Sequence, residues 1–170
     1  MNNDTDNNTS IKHTLFHQIE TEITAQPVQL CTIKKLIEHI ADGLCMFVPS
    51  KEAIHKRIRD DINPGVVDAQ TPHLLVERLI FWIKQFQSPV HDTTVDNMMS
   101  RLRSYNGENY ANGLVTFLRE YCEHIEQCYK ETWEARKRLV RGESVVPPEH
   151  RLVVKGENCV PTNMKTGRNV

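Results

Sequence analysis

Apolar residues recur three or four positions apart along most of this chain of 170 residues, in segments that prolines and glycines separate. This spacing lines one face of an α-helix with apolar side chains, because the helix turns once every 3.6 residues. No run of the sequence shows the alternation of polar and apolar residues that is typical of a half-buried strand. The sequence therefore predicts an all-α fold, a single bundle of about six helices.

Turn-forming residues mark the ends of the predicted helices. The first helix is predicted over residues 11–24, and the second runs from Pro27, in its first turn, to Pro49, which stops it. The second is expected to be the central core helix. The other four begin near Ser50, at Thr71–Pro72, at a cap formed by Asp92 or Thr93, and near Asn109. The helix that begins at Thr71–Pro72 is apolar over more than half of its circumference, so we expect it to be buried on several sides.

The two chain ends lack the helical period. Residues 1–9 are polar, and residues 142–170 hold three of the eight prolines and three of the seven glycines. We predict a disordered tail over residues 1–9, a helical domain over residues 10–141 and an extended or disordered tail over residues 142–170.

Charge and hydropathy exclude several classes of protein. The 21 basic and 22 acidic residues nearly cancel. Nucleic-acid binding is therefore not expected from bulk charge and requires a local basic patch. No apolar run reaches the ~18 residues that a membrane span needs, and the first residues do not resemble a signal peptide. We expect a cytoplasmic protein without a transmembrane segment, whose five cysteines are mostly reduced.

Candidate catalytic and metal-binding residues are few. His13 and His17 are four positions apart, the spacing that lets two imidazoles share a metal ion, but no nearby carboxylate completes the set. Cys122, His124 and Cys128 form a second group, in which positions 122 and 124 point to different sides of a helix. We interpret Cys122 as a small core residue. The sequence predicts no enzyme, no cofactor and no metal site, although a metal site at either group is the weakest alternative.

Basic residues gather around Arg57 and again over residues 136–141, beside Trp133. The second cluster is able to hold phosphates of nucleic acid or anionic lipid by charge and stacking. Both clusters have acidic neighbours, partly four positions away, as on a solvated helix face that carries both charges. Such a face suits protein docking, which we take as the leading hypothesis. Binding of nucleic acid or anionic lipid through residues 136–141 is the alternative.

Several segments together resemble the T-complex protein 11 family. These are LFHQIETEIT (15–24), IHKRIRDDINPGVV (54–67), LLVERLIFWIKQFQSPVHDTTVDNM (74–98) and YANGLVTFLREYCEHIEQCYKETWEARKRL (110–139). From the first to the last, these segments span residues 15–139, about three quarters of the chain. The chain departs from the family in having His91 before Asp92, where the family often has arginine. It also resembles only the N-terminal part of a typical member.

The resemblance implies a non-enzymatic helical adaptor in intracellular signalling. Family members are linked to cyclic-AMP-dependent protein kinase signalling and to sperm function, and the family has no catalytic or cofactor residues to carry over. The resemblance places a partner-docking surface on a helix face and on the corner at residues 88–96. The residues expected to bind the partner protein are Arg57, Asp60, Asp61, His91, Asp92, Arg119 and Arg136.

Overall fold

The computed structural model describes residues 3–63 and 72–142, with side chains over residues 12–63, 73–107 and 109–142. In these ranges the chain forms six α-helices and no strand, which confirms the predicted all-α bundle. The helices are α1 (Asn3–Thr24), α2 (Cys31–Cys45), α3 (Glu52–Asp61), α4 (Pro72–Phe86), α5 (Asp92–Ser104) and α6 (Tyr110–Val140). A short 3-10 helix, Pro89–His91, precedes α5, and another, Gly107–Asn109, precedes α6.

The chain divides into two compact units, Met1–Glu134 and Ala135–Val170. The first unit holds α1 to α5 and most of α6. The described part of the second unit is the C-terminal end of α6 with the turn at Arg141 and Gly142. The predicted C-terminal tail lies, apart from Gly142, outside the described residues, as does the segment 64–71.

The first helix begins earlier than predicted. The sequence placed a disordered tail over residues 1–9 and a helix from Ile11, whereas α1 begins at Asn3. The prediction required an apolar period, which residues 3–10 lack. Helix formation has no such requirement, because each residue added to a helix that has already nucleated gains a backbone hydrogen bond. The tail prediction is therefore wrong for residues 3–9.

The core of the first unit is built from the apolar faces of all six helices. In α2 the side chains of Ile33, Ile37 and Leu44 are almost completely buried, as expected for a core helix. Burying one such side chain stabilises the fold by about 1.5–3 kcal/mol. In α6, Tyr121 is fully buried, and its hydroxyl donates to the carbonyl oxygen of Leu79 in α4 at 2.7 Å. This bond ties α6 to the middle of α4.

The N-terminus of α2 lies later in the sequence than predicted. Pro27 does not form its first turn, since α2 begins at Cys31. The Glu22 carboxylate, from the end of α1, accepts hydrogen bonds from the backbone N–H and the hydroxyl of Thr32, at 2.7 and 2.6 Å. Leu30, the residue before α2, has no side chain that could cap it. Glu22 therefore supplies the acceptor that a helix N-terminus needs.

Gly113 in the first turn of α6 has a packing role. A Cβ atom added there would lie 2.5 Å from the Tyr105 ring, closer than real side chains approach. Glycine weakens a helix by about 1 kcal/mol relative to alanine. The missing side chain lets the Tyr105 ring, from the loop after α5, lie directly on the α6 backbone.

Candidate functional site

The outward side of α4 carries apolar side chains that the core does not cover. Leu74 is 45% exposed and Phe81 is 51% exposed, although Leu75, Leu79 and Ile83 of the same helix are buried. The sequence predicted that this helix is buried on several sides, and most of its apolar side chains are buried, whereas its outward side stays exposed. The neighbouring helices cover the other sides of α4 and do not cover this one.

These exposed residues follow one line along α4. Successive residues are 100° apart around a helix, so Leu74, Phe81 and Gln85 fall within about 40° of one another. We call these three residues the outer stripe. Leu74 and Phe81 are therefore two large apolar side chains that stay exposed on the same line of α4.

One edge of the outer stripe is formed with α3. Phe81 meets the buried Trp82 edge to face, with ring centroids 5.4 Å apart. The Trp82 indole N–H donates to the Asp61 carboxylate at 3.0 Å, and the Arg57 guanidinium lies 6.0 Å from the Trp82 ring centroid. Arg78 donates to the backbone carbonyl of Asp61 at 2.9 Å. We call Arg57 and Arg78 the basic edge of the stripe.

The opposite edge of the outer stripe lies towards α5. Lys84 pairs with Asp96 of α5, with nitrogen and oxygen 2.7 Å apart, and Glu77 is exposed. This edge carries both charges and the basic edge carries guanidinium groups, so the two sides of the stripe differ in charge.

A second group of interest is a set of polar side chains where the chain turns from α4 into α5 and packs on α6. We call it the corner cluster: Gln87, His91, Asp92, His124, Cys128 and Glu131. Gln87 and His124 are buried. Gln87 Nε2 donates to Asp92 Oδ1 at 2.6 Å, and His124 Nε2 lies 2.8 Å from Gln87 Oε1. His91 Nε2 lies 2.7 Å from Glu131 Oε2.

The donors and acceptors of the corner cluster can be assigned by starting from the Asp92 carboxylate. The Asp92 carboxylate only accepts, so Gln87 must offer its NH₂ group to it and turn its carbonyl oxygen towards His124. That oxygen also only accepts, so the proton of His124 lies on Nε2. Burial lowers the pKa of His124, and the neighbouring His91, whose ring centroid is 5.4 Å away, lowers it further. His124 is therefore a neutral donor in the folded protein.

Cys128 lies against this imidazole, with Sγ 3.3 Å from His124 Nε2. Burial raises the pKa of the Cys128 thiol to about 12 and likewise that of Cys122. A nucleophilic cysteine needs the opposite shift, because the thiolate is the reactive form. The arrangement suits a protonated, buried thiol packed in the core. Cys122 is half-buried and packs against the core, in agreement with its interpretation from sequence.

The two groups that the sequence offered as the weakest alternative, a metal site, lie on α1 and α6. His13 and His17 are both exposed on α1. Over the described ranges, no group of three or more His, Cys, Asp or Glu side chains is arranged to hold a metal ion. His124 and Cys128, four positions apart on α6, share a helix face and contact each other.

The seven residues predicted to bind a partner lie in separate parts of the molecule. His91 and Asp92 belong to the corner cluster and are half-buried. Asp92 also differs from its prediction as a helix cap, because α5 begins at Asp92 itself and His91, the residue before it, makes no capping side-chain bond. Both side chains are held by partners within the bundle.

The other predicted binding residues lie on α3 and α6. Asp60 is exposed and pairs with Lys56 at 2.7 Å, whereas Asp61 is half-buried beneath Trp82. The Arg119 guanidinium lies 5.2 Å from the Phe16 ring centroid. Arg136 is half-buried and belongs to the second unit. Of the seven, Arg57 lies at the edge of the outer stripe.

The sequence interpretation missed the outer stripe and the corner network. The sequence did carry a signal for the stripe. The α4 helix has more apolar residues than fit on one buried face, and Leu74 and Phe81 are seven positions apart, on one line. The signal for Gln87 and His124 was weaker. A polar residue at a buried position is recognisable only when its partner, here 37 residues away, is known.

Comparison with family models, with curated proteins and with solved structures finds no match to this chain. The resemblance to the T-complex protein 11 family stays a prediction. Of the helices in the described ranges, none combines the length and the apolarity that crossing a bilayer requires.

Proposed function

We propose that this protein is a non-enzymatic helical docking module, a cytoplasmic adaptor or regulator in signalling that binds a partner protein through the outer stripe of α4. The observation that carries this proposal is the exposure of Phe81 in line with Leu74 on one helix. Apolar residues at this spacing are typical of helices that dock into a partner. Exposed aromatic side chains also contribute strongly to binding, because they bury a large area at low entropic cost.

The kind of partner follows from the resemblance noted in the sequence. It makes components of cyclic-AMP-dependent protein kinase signalling, including kinase regulatory subunits, the first candidates. The Cys128 thiol, buried and with its pKa raised to about 12, favours binding over catalysis at the corner cluster.

The test is an affinity capture from the native cell that compares three forms of the full chain. The wild type, Phe81→Ser and Thr116→Ala are used as bait at equal concentration. Phe81→Ser removes the centre of the stripe. Thr116→Ala alters an exposed polar residue of α6, outside the stripe, and is the control. We expect a partner that the wild type and Thr116→Ala retain and that Phe81→Ser loses by about tenfold or more.

Folding is checked on the same samples by helical circular dichroism and thermal midpoint. If every protein retained by the wild type is retained equally by folded Phe81→Ser, the outer stripe is not the docking surface. Purification of each retained candidate and a direct binding measurement with the three forms then separate specific partners from background.

A second candidate function rests on the C-terminal end of α6. Lys137 and Arg138 lie in its last turn, where Leu139 is 64% exposed and Val140 is 89% exposed. Basic and apolar side chains together are typical of segments that lie on anionic surfaces. Binding to anionic vesicles or to nucleic acid at about 50 mM salt that falls steeply as salt rises would support this function. Its absence at that salt concentration removes it.

A further inference from the structure

We infer that the partner of the outer stripe is an amphipathic helix with carboxylates along one edge, the edge that lies over Arg57 and Arg78. This inference rests on the proposed docking function and adds the chemistry and the orientation of the partner. Leu74 and Phe81 lie two turns apart on one line of α4, the spacing at which a second helix presents its own apolar side chains. The charge beside that line decides which helix fits.

The basic edge is the part of the surface that selects charge. Within the described residues, neither Arg57 nor Arg78 has a carboxylate oxygen within 4.0 Å, whereas Lys56, Arg59 and Lys84 each have one. Arg57 is exposed, and its guanidinium lies by the Trp82 ring that touches Phe81. Arginine suits this role, because one guanidinium can stack on an aromatic ring and bind a carboxylate at the same time.

The charges around the basic edge leave room for an added carboxylate. Asp61, whose backbone carbonyl accepts from Arg78, is half-buried, and its carboxylate accepts from the Trp82 indole N–H. It balances one of the two guanidinium groups, so the edge keeps a positive charge. The opposite edge holds Glu77, Lys84 and Asp96, which repel a carboxylate there more than they attract it. The acidic edge of the partner is therefore expected over α3 and not over α5.

Other segments of this chain fit the surface less well. Residues 143–170 carry three glutamates and four lysine or arginine residues, so the C-terminal segment brings no excess of carboxylates. A second copy of α4 would bring Glu77 as the one acidic residue on or beside its own outer stripe. A separate acidic helix is the occupant that complements both the apolar line and the basic edge.

The test is a display selection with a library of helical peptides. The peptides share apolar residues at positions i, i+3, i+4 and i+7 and have random residues on both flanks. The full-length protein is the target, and binders retained by the Phe81→Ser protein are discarded. Enriched peptides are then measured against the wild type, Arg57→Glu and Lys56→Glu. Lys56→Glu is the matched control, because it makes the same charge change on the neighbouring residue of α3.

We expect the enriched peptides to carry Asp or Glu on one flank. Their binding should weaken about tenfold or more with Arg57→Glu and clearly less with Lys56→Glu, and it should weaken as salt rises. Phe81-dependent peptides that are neutral or basic would overturn this inference and leave the docking function standing. No Phe81-dependent peptide at all would count against both. A dimer that forms in solution and is lost in Phe81→Ser would identify a second copy as the occupant and overturn the inference.

Discussion

The C-terminus of the α4 helix and its outward side show opposite arrangements of polar and apolar side chains. Just after its C-terminus, Gln87 is buried and bonds to His124, whereas along its outward side Phe81 is half in solvent. Over the described side chains, every buried polar nitrogen and oxygen has a hydrogen-bond partner. The corner cluster is thus satisfied within the bundle. The apolar side chains of the outer stripe stay in contact with water, and only another apolar surface can cover them.

The residues of the corner cluster are structural, whereas those of the outer stripe are available for binding. Buried polar groups that bond one another fix the fold, and removing one of them leaves the others without a partner. Exposed apolar residues add little to the fold and are available to a partner. We therefore expect substitutions in the corner cluster to change stability and substitutions in the outer stripe to change binding.

The largest expected effect on stability is that of Gln87→Leu. It removes both hydrogen bonds of the Gln87 amide and leaves His124 Nε2–H beside the weak acceptor Cys128 Sγ. An unsatisfied buried donor costs about 1–3 kcal/mol, so we expect a loss of about 2 kcal/mol in the free energy of unfolding. Urea unfolding measures this loss. Gln85→Leu, two residues earlier and exposed, should stay within about 0.5 kcal/mol of the wild type.

Protonation of His124 at acidic pH should lower the free energy of unfolding. Burial and the neighbouring His91 lower its pKa in the folded protein, so the unfolded chain binds this proton more readily. The contribution of His124 is complete above its unfolded pKa of about 6.5 and is lost as pH falls below that value towards the folded pKa. The loss should be smaller than in Gln87→Leu, since the imidazolium still donates from Nε2.

Urea unfolding at several pH values between about 7.5 and 5 follows this change. The matched variant is His124→Gln, which keeps a donor and has no proton to gain. Its free energy of unfolding should depend less on pH than that of the wild type. An equal dependence in both proteins would show that His124 does not titrate in the way its surroundings indicate.

A smaller loss of stability is expected for Phe81→Ser. Half of this side chain is already in solvent, and its main contact is the edge of the Trp82 ring. Aromatic pairs contribute about 0.5–1.5 kcal/mol, so the loss should be about 1 kcal/mol or less. The thermal midpoint should shift by only a few degrees. A loss as large as that of Gln87→Leu would mean that Phe81 belongs to the core.

The smallest expected effect is that of Arg57→Gln. The guanidinium of this exposed residue contacts the Trp82 ring, and an exposed contact of this kind contributes about 0.5–1 kcal/mol. We expect a loss of about 0.5 kcal/mol in the free energy of unfolding, the low end of that range, because the guanidinium lies 6.0 Å from the ring centroid. Lys56→Gln is the control, and the two variants should differ in binding to an acidic peptide far more than in stability.

The helices could be predicted from the sequence because their signals are local. The apolar period and the punctuation by Pro72 and by Pro89 place α4 and its end correctly, and the spacing of apolar residues predicts α6 to within a residue of Tyr110. The start of α2 could not be predicted in this way. It depends on Glu22, an acceptor ten positions before Thr32, and not on the turn residue Pro27.

The candidate site depends on contacts that spacing does not reveal. Burial around α4 is decided by where other helices pack, so the sequence could not show which of its apolar residues stay outside. The predicted role of Asp92 illustrates the same limit. Its position suggested a helix cap or a docking residue, and its carboxylate instead receives the Gln87 amide.

The most direct test of the outer stripe is photo-crosslinking of the full chain to its captured partner. A photo-activatable residue replaces Glu77, exposed between Leu74 and Phe81, or Thr116, exposed on α6. We predict a covalent adduct with the partner from position 77 and none from position 116. An adduct from position 116 with none from position 77 would contradict docking through α4.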